Sequence, residues 1–252
     1  MQVQGPDGEP PRGYATIRRV LEPLRAYHHH EVDGPEHVPA EGPAICVVNH
    51  SLATYDALLL GLAIHDATGR VPLALGDDLL FKLPGLAGAA WTLGVRPASH
   101  AHGVRGLADG RLVFVAPGGM REALRPSRER GEVRWGRRQG FVRLALRTGA
   151  PLVLAACPDA DDIYTVVDNP VTGLAYKALK VPVPLAYGLG PTLVPRPVRL
   201  RHRVAAPLRP PAWEPEREEE QVADLHADVL ATMARLMERP PGSRRGRGPR
   251  PR

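Results

Sequence analysis

The chain alternates between short apolar runs and longer stretches in which apolar residues recur every three or four positions. The short apolar runs predict buried strands at residues 44–48, 71–75, 112–116 and 152–156. The helical spacing predicts helices at residues 14–27, 77–81, 137–148 and 216–239. Because strands alternate with helices, the pattern predicts one α/β domain.

The two ends of this domain carry the clearest helical patterns. In 216–239 acidic residues come early and arginines late, as the helix dipole favours, so a long C-terminal helix is predicted. In 14–27 an N-terminal amphipathic helix is predicted, with Ile17, Val20, Leu21 and Leu24 on one side. This helix either packs on the core or lies on a membrane with its arginines at the head groups. Before the C-terminal helix, residues 198–204 alternate apolar residues with arginines, which is typical of a half-exposed strand.

Composition sets the domain limits. The 252 residues are enough for one sizeable core. Residues 1–13 are polar and rich in Pro and Gly, and residues 240–252 are rich in Arg, Pro and Gly, so we expect a disordered lead, a folded domain at 14–239 and a disordered basic tail.

Charge and cysteine usage suggest partners and a compartment. The net charge of +6 favours an anionic partner. Aromatic residues are few and no nucleic-acid motif is present, so an anionic membrane surface is expected rather than nucleic acid. No apolar run reaches the length of a spanning helix, and both cysteines lie in apolar runs, as in a reducing cytosol. The expected location is cytoplasmic and peripheral to a membrane.

The first candidate for chemistry follows the strand at 44–48. His50 lies in the loop after this strand, and Asp56 is expected in the first turn of the next helix. A bent connection of this kind can bring an imidazole and a carboxylate together, and such a pair forms a general base. The alternative is that Asp56 only caps the helix and that His50 is an ordinary loop residue.

The second candidate follows the strand at 112–116. It is the block Pro117-Gly118-Gly119, with Arg121 and Glu122 two and three residues further on. Two glycines after a strand allow close approach of a ligand, and their N–H groups are suited to an anion or an oxyanion. An ordinary Pro-Gly turn is the alternative.

Together, these motifs resemble those of the glycerolipid acyltransferase superfamily, which has a His and an Asp with four residues between them and a downstream Pro-Glu-Gly block. Here five residues separate His50 from Asp56 (an HX5D motif), and Gly118 stands where the family has Glu. Both departures resemble the branch of monoacylglycerol and diacylglycerol acyltransferases. Residues 135–158, which include Arg138, and residues 188–208 are similar to that branch too. The resemblance covers residues 27–210.

The resemblance implies a mixed sheet, mostly parallel, flanked by helices, and an O-acyltransferase. Acyl-CoA would be a co-substrate, without a bound cofactor or metal, and a mono- or diacylglycerol or long-chain alcohol would accept the acyl group. His50 would take the alcohol's proton and Asp56 would orient His50. The residues implied in substrate binding are Pro117, Gly118, Gly119, Arg121, Glu122 and Arg138, with Arg121 and Glu122 either holding the acceptor or organising the site.

Three alternatives remain open on the sequence. One is an acyltransferase of the lysophosphatidate or glycerol-phosphate type. Another is a hydrolase with Ser51 as nucleophile, although no Gly-x-Ser-x-Gly motif is present; in the transferase, Ser51 would have no role. The last is a lipid-binding protein without catalysis. The three consecutive histidines at 28–30 are not expected to bind a metal, because neighbouring residues cannot easily converge on one ion.

Overall fold

The computed structural model describes residues 13–82, 85–168 and 185–239. The strands are β1 Glu31–Asp33, β2 Ala44–Val48, β3 Leu73–Gly76, β4 Arg96–Pro97, β5 Leu112–Val115, β6 Leu152–Ala156, β7 Thr165–Val166, β8 Ala186–Tyr187 and β9 Arg201–Val204. The helices are α1 Tyr14–Tyr27, α2 Tyr55–Thr68, α3 Asp78–Lys82, α4 Leu86–Thr92, α5 His100–Ala108, α6 Gly119–Ala123, α7 Gly140–Thr148 and α8 Glu218–Met237. Short 3-10 turns lie at Pro35–His37, Ser127–Glu129, Pro158–Asp162 and Pro215–Arg217.

Within the described ranges, seven strands form one sheet in the order β1-β9-β6-β2-β5-β3-β4. The pairs along β6-β2-β5-β3-β4 are parallel, whereas β9 is antiparallel to β6 and parallel to β1. Strands β7 and β8 form a separate antiparallel pair. The α/β fold with a mixed, mostly parallel sheet is therefore confirmed.

The sheet is buried on both faces, which explains why its central strands are continuous apolar runs. On β2, Ile45 and Val47 join a core cluster with residues of α5, α7 and α8. Cys46 and Val48 join a second cluster with residues of α2 on the opposite face. The long C-terminal helix is confirmed as α8, which covers the first of these clusters through residues that include Val229.

The structure corrects several details of the predicted elements. Of the two interpretations of α1, core packing is the one observed: Leu21 is buried against α2 residues such as Leu59. Val20, predicted on the same side, is 62% exposed, because the four apolar positions span a wider arc than the packed face of the helix. The strand predicted at 198–204 is shortened to Arg201–Val204, and the helix predicted from 137 begins at Gly140. The predicted disordered lead, 1–13, lies outside the described residues except for Gly13, and the predicted disordered tail, 240–252, lies outside them entirely.

Parallel pairing sets the place of the site. Because β2, β5 and β6 run in the same direction, their carboxyl ends meet at one edge of the sheet. His50 follows β2, the Pro117 block follows β5, and Cys157 follows β6 at this edge. None of the helices in the described part of the chain is both long and apolar enough to span a bilayer.

The three consecutive histidines have separate partners. His28 is buried, with Nδ1 2.8 Å from the carbonyl of Val198 and Nε2 2.7 Å from the hydroxyl of Tyr55. His29 is exposed. His30 Nε2 lies 2.9 Å from Nδ1 of His202, which joins β9 to the end of α1.

The His30–His202 pair is expected to make the fold sensitive to acid. Burial, and then the charge of Arg25, lower the pKa of His30 to about 4, and burial lowers the pKa of His202 well below its usual value. A depressed folded-state pKa means that the unfolded chain takes up protons first. The stabilisation is therefore complete above about pH 6.5 and is lost as the pH falls toward 4.

We predict that His30→Gln/His202→Gln, which keeps hydrogen-bonding side chains but removes the titration, loses less stability on acidification. Between pH 7 and pH 5 the wild type should lose about 2–4 kcal/mol more free energy of unfolding than the variant, because each histidine contributes up to about 2 kcal/mol. Urea unfolding at the two pH values measures this difference. Other titrating groups are shared by both proteins and largely cancel, so an equal loss in both would contradict the assignment.

Candidate active site

The loop after β2 is fixed to the neighbouring strand. The side-chain Oδ1 of Asn49, a residue only 3% exposed, accepts the N–H of Cys157 at 2.9 Å and so joins the ends of β2 and β6. Thr54, just before α2, has a φ of 58°, which a β-branched residue rarely adopts. The chain therefore turns sharply from His50 into α2, and Asp56 lies in the first helical turn as predicted.

The imidazole of His50 is held by the main chain of the next residue. Its Nδ1 lies 3.0 Å from the carbonyl oxygen of Ser51. A carbonyl can only accept, so Nδ1 carries the proton and Nε2 is left with a free lone pair. Burial lowers the pKa of His50, and the charge of Arg125 lowers it further against the opposing effect of the Ser51 bond. His50 is thus a neutral base at neutral pH.

Asp56 reaches His50 through Ser51 rather than directly. The hydroxyl of Ser51 donates to Oδ1 of Asp56 at 2.8 Å, and both residues are buried. Among the described residues Asp56 has no hydrogen bond to the imidazole, so the direct contact expected from the sequence is not formed in this structure. The loop instead places Ser51 over the start of α2, between the two. Burial raises the pKa of Asp56 to about 6, although the Ser51 hydroxyl lowers it.

Glu122 is the centre of the polar contacts at this edge. Its Oε2 accepts the main-chain N–H of His50 at 3.1 Å and the indole N–H of Trp135 at 3.2 Å. Arg125 faces the other carboxylate oxygen at 3.6 Å. Burial raises the pKa of Glu122 to about 7, with Arg125 the largest opposing influence. Since Glu122 is only 1% exposed, its position favours organising the site over holding an acceptor; Arg121 is exposed.

Three residues that support Glu122 were missed by the sequence reasoning. Arg125 is buried and also donates to Asp161 at 2.5 Å, and Asp161 accepts the N–H of Gly131 at 2.9 Å. Trp135 is 1% exposed. The only sequence signal was that Arg125 and Trp135 lie at the two ends of a charged loop. A charged loop is equally well explained by exposure to solvent.

The Pro-Gly-Gly block shows why small residues are needed. A Cβ on Gly118 would lie 2.0 Å from Oε2 of Glu122, so only glycine leaves room for the buried carboxylate. Gly119 has a φ of 50°, and its N–H donates to the carbonyl of Ala116 at 3.0 Å. The N–H of Gly119 is therefore used in the turn, which corrects its expected part in an oxyanion site. Exposed Arg138 donates to the carbonyls of Pro117, at 2.6 Å, and Gly118.

A cavity of about 420 Å³ lies beside this block. It combines apolar side chains with a few polar ones, as ligand pockets do. Its lining residues are Leu75, Asp77, Ala98, Ser99, His100, Val115, Ala116, Pro117, Gly119, Arg138, Gly140, Phe141 and Leu144. His50 is not among them. The block adjoins both: Pro117 and Gly119 form part of the cavity wall, and Gly118 packs on the carboxylate that holds His50.

Comparison with known proteins identifies two matching family models. The model described as acyltransferase matches residues 29–157, and the model described as diacylglycerol acyltransferase matches residues 94–240. Each covers more than half of the chain, and together they include all the site residues described above.

Curated relatives are similar over most of this chain but extend beyond it. An uncharacterized protein of Mycobacterium tuberculosis is 32% identical over 203 residues, which are 77% of this chain and 56% of that protein. The Bos taurus protein named "DGAT1/2-independent enzyme synthesizing storage lipids" is 27% identical over 221 residues, or 86% of this chain and 62% of that protein. The chain thus spans somewhat more than half the length of these relatives.

A solved structure has a similar fold. The crystal structure of the 1-acyl-sn-glycerophosphate (LPA) acyltransferase PlsC from Thermotoga maritima aligns with a TM-score of 0.51 at 18% identity. The alignment covers 88% of this chain and 83% of that one. At this identity the likeness concerns the fold alone.

We predict that Gly118→Ala destabilises the protein, because the added methyl group would overlap the buried carboxylate of Glu122. Overpacking of this kind costs about 1–3 kcal/mol. Urea unfolding measures the loss.

Gly140→Ala is the matched control, because a Cβ at Gly140 meets no atom within 4 Å. Similar free energies of unfolding for the wild type and both variants would show that Glu122 is not held as described.

Proposed function

Since the chain belongs to the acyltransferase family, we propose that it transfers a fatty acyl group from acyl-CoA to the hydroxyl of a lipid alcohol. The observation that carries this proposal is the state of His50. Its Nδ1 proton is donated to the Ser51 carbonyl, and its Nε2 is free to take a proton at neutral pH.

The proposed reaction needs no covalent enzyme intermediate, because a thioester is already activated. Nε2 of His50 takes the proton of the acceptor hydroxyl as the oxygen attacks the thioester carbonyl. The tetrahedral intermediate then collapses, the C–S bond breaks and CoA leaves. The proton on His50 passes to the leaving thiolate, which returns His50 to its neutral form.

Two carboxylates are placed to stabilise the imidazolium that forms in this reaction. Glu122 accepts the main-chain N–H of His50, and Asp56 is joined to it through Ser51. In this role Asp56 and Glu122 act by charge and by fixing the loop, not by bonding the ring. Opposite charge in a buried setting favours the protonated ring.

We assign the acyl chain to the cavity beside the Pro117 block. Leu75, Val115, Phe141 and Leu144 give it apolar walls, and its volume lies in the range of small-molecule sites. Arg138 lies at this wall and is exposed, so it is placed for the polar part of the donor. Gly118 is the member of the glycine pair whose N–H is not used in the Ala116 turn, and we assign the oxyanion to it.

We propose that the acceptor is neutral: a mono- or diacylglycerol or a long-chain alcohol. Arg125 is paired with Asp161 and Glu122, so it is not a free phosphate ligand. The Bos taurus relative is named for the synthesis of storage lipids. A phosphate-bearing acceptor is the second candidate, favoured by the exposed Arg121 beside the block.

The hydrolase alternative is disfavoured by the position of Ser51. Its hydroxyl donates to Asp56, and it is the carbonyl of Ser51, not the hydroxyl, that meets the imidazole. A serine nucleophile needs its hydroxyl against the base. Ser51 is also only 1% exposed.

We predict that the protein releases CoA thiol from palmitoyl-CoA only when an alcohol acceptor is supplied. Diacylglycerol, a long-chain alcohol and lysophosphatidate are offered in turn. His50→Asn should lower the rate by about 10²–10⁴-fold, because a placed general base contributes that much. His29→Asn, at an exposed histidine, is the control and should leave the rate unchanged.

The same assay separates the alternatives. Free fatty acid formed without an acceptor would indicate a hydrolase, and a rate that rises only with lysophosphatidate would indicate the phosphate-bearing class. Equal rates for wild type and His50→Asn would rule out His50 as the base. Lipid binding without thiol release by either protein would contradict catalysis.

A further inference from the structure

The hairpin at residues 187–194, which begins in β8, and the neighbouring Leu185 expose an unusual number of large apolar side chains. Leu185, Tyr187, Leu189, Leu193 and Val194 are all more than a third exposed, and Leu193 is 73% exposed. We call these five residues the apolar hairpin surface. Isolated exposed apolar residues are ordinary, but five within ten residues concentrate apolar surface in one short segment, and concentrated apolar surface marks interaction sites.

Hydrogen bonds and close main-chain packing define the conformation of the hairpin. The N–H of Gly188 donates to Thr192 at 2.6 Å and the N–H of Leu189 donates to Val194 at 2.8 Å, which closes the turn. A Cβ at Gly188 would lie 1.8 Å from the carbonyl oxygen of Val194, so the two arms approach as closely as glycine permits. The hydroxyl of Tyr164 donates to the carbonyl of Leu193 at 3.1 Å. The fold therefore holds these apolar side chains outward.

A positive charge lies at the base of the hairpin. The guanidinium of Arg196 is 5.4 Å from the ring centre of Tyr187 and donates to the hydroxyl of Thr165 at 2.8 Å. Its other partners are main-chain carbonyls, and within the described ranges it forms no ion pair. An apolar tip with an unneutralised arginine behind it matches the profile of a bilayer, where acyl chains lie below a layer of phosphates.

The hairpin is also close to the loop that carries His50. Strand β7 follows β6 through the 3-10 turn at Pro158–Asp162. Leu52, two residues after His50, lines one small void together with Tyr164 and Val166. Val166 lies in β7, which pairs with β8 at the start of the hairpin. A partner bound to the apolar hairpin surface would thus lie close to the His50 loop.

We propose that the apolar hairpin surface docks the protein on a lipid bilayer, with Leu189 and Leu193 among the acyl chains and Arg196 at the phosphates. The purpose of this docking rests on the proposed function: a lipid acceptor in the docked bilayer reaches His50 without crossing water. Docking itself does not depend on catalysis, so the two can fail separately.

A fluorescent label locates the contact. Both native cysteines are fully buried, so Leu193→Cys can be labelled selectively with an environment-sensitive fluorophore. Val20→Cys, on the exposed side of α1, is the matched control and also tests α1 as the membrane contact. With vesicles of phosphatidylcholine and phosphatidylglycerol and no acyl donor, the emission should shift to shorter wavelength at residue 193 and stay unchanged at residue 20. A shift at residue 20 alone would overturn the proposal.

Binding to the same vesicles measures the contribution of the surface. Leu189→Asp/Leu193→Asp should weaken co-sedimentation by about tenfold or more, because burial of two leucines in the bilayer is lost. Val20→Asp/Val104→Asp, at two other exposed apolar positions, should bind like the wild type. Equal binding by all three proteins would overturn the proposal. So would conversion of a wild-type dimer to a monomer by the leucine substitutions alone, since the surface would then bind a second copy.

Discussion

The candidate site depends on one buried carboxylate. Glu122 receives the main-chain N–H of His50 and the indole N–H of Trp135 on one oxygen, and Arg125 faces the other. Burying a charge is costly unless it is paired and hydrogen-bonded, so these partners must remain together for the carboxylate to be tolerated. Gly118 is required for the same reason, since any side chain there would occupy the place of the carboxylate. The loops after β2 and β5 are thereby held in one arrangement.

This arrangement fixes the chemical state of the imidazole. Burial shifts the titrating groups in opposite directions: it lowers the pKa of His50 and raises that of Asp56 to about 6 and of Glu122 to about 7. The neutral ring keeps its proton on Nδ1 because the Ser51 carbonyl accepts it there. Under the proposed function, a neutral base beside two buried carboxyl groups suits the deprotonation of an alcohol near pH 7.

The fold followed from the sequence more completely than the site did. Continuous apolar runs such as 44–48 and 152–156 have one physical explanation, burial on both faces of a parallel sheet, and their limits agree with the structure. The position of His50 directly after a strand was also predicted from the sequence. The partners of His50 were not predicted, because they come from sequence-distant loops: Glu122 is 72 residues away, and Asp161, which binds the Arg125 that faces Glu122, lies beyond another strand. A loop of five residues can join His50 to Asp56 in many ways. The spacing of these two residues in the sequence therefore did not indicate that Ser51 would lie between them.

The most direct test of this account is the protonation of His50 in solution. Nitrogen-15 NMR reports which ring nitrogen carries the proton, and His50→Asn assigns the signal among the 10 histidines. The account predicts a proton on Nδ1 and a bare Nε2 at pH 7.5, with a titration midpoint below about 6.5. A proton on Nε2 at that pH, or a midpoint above the usual value, would contradict the claim that the Ser51 carbonyl and the buried site prepare His50 as the base.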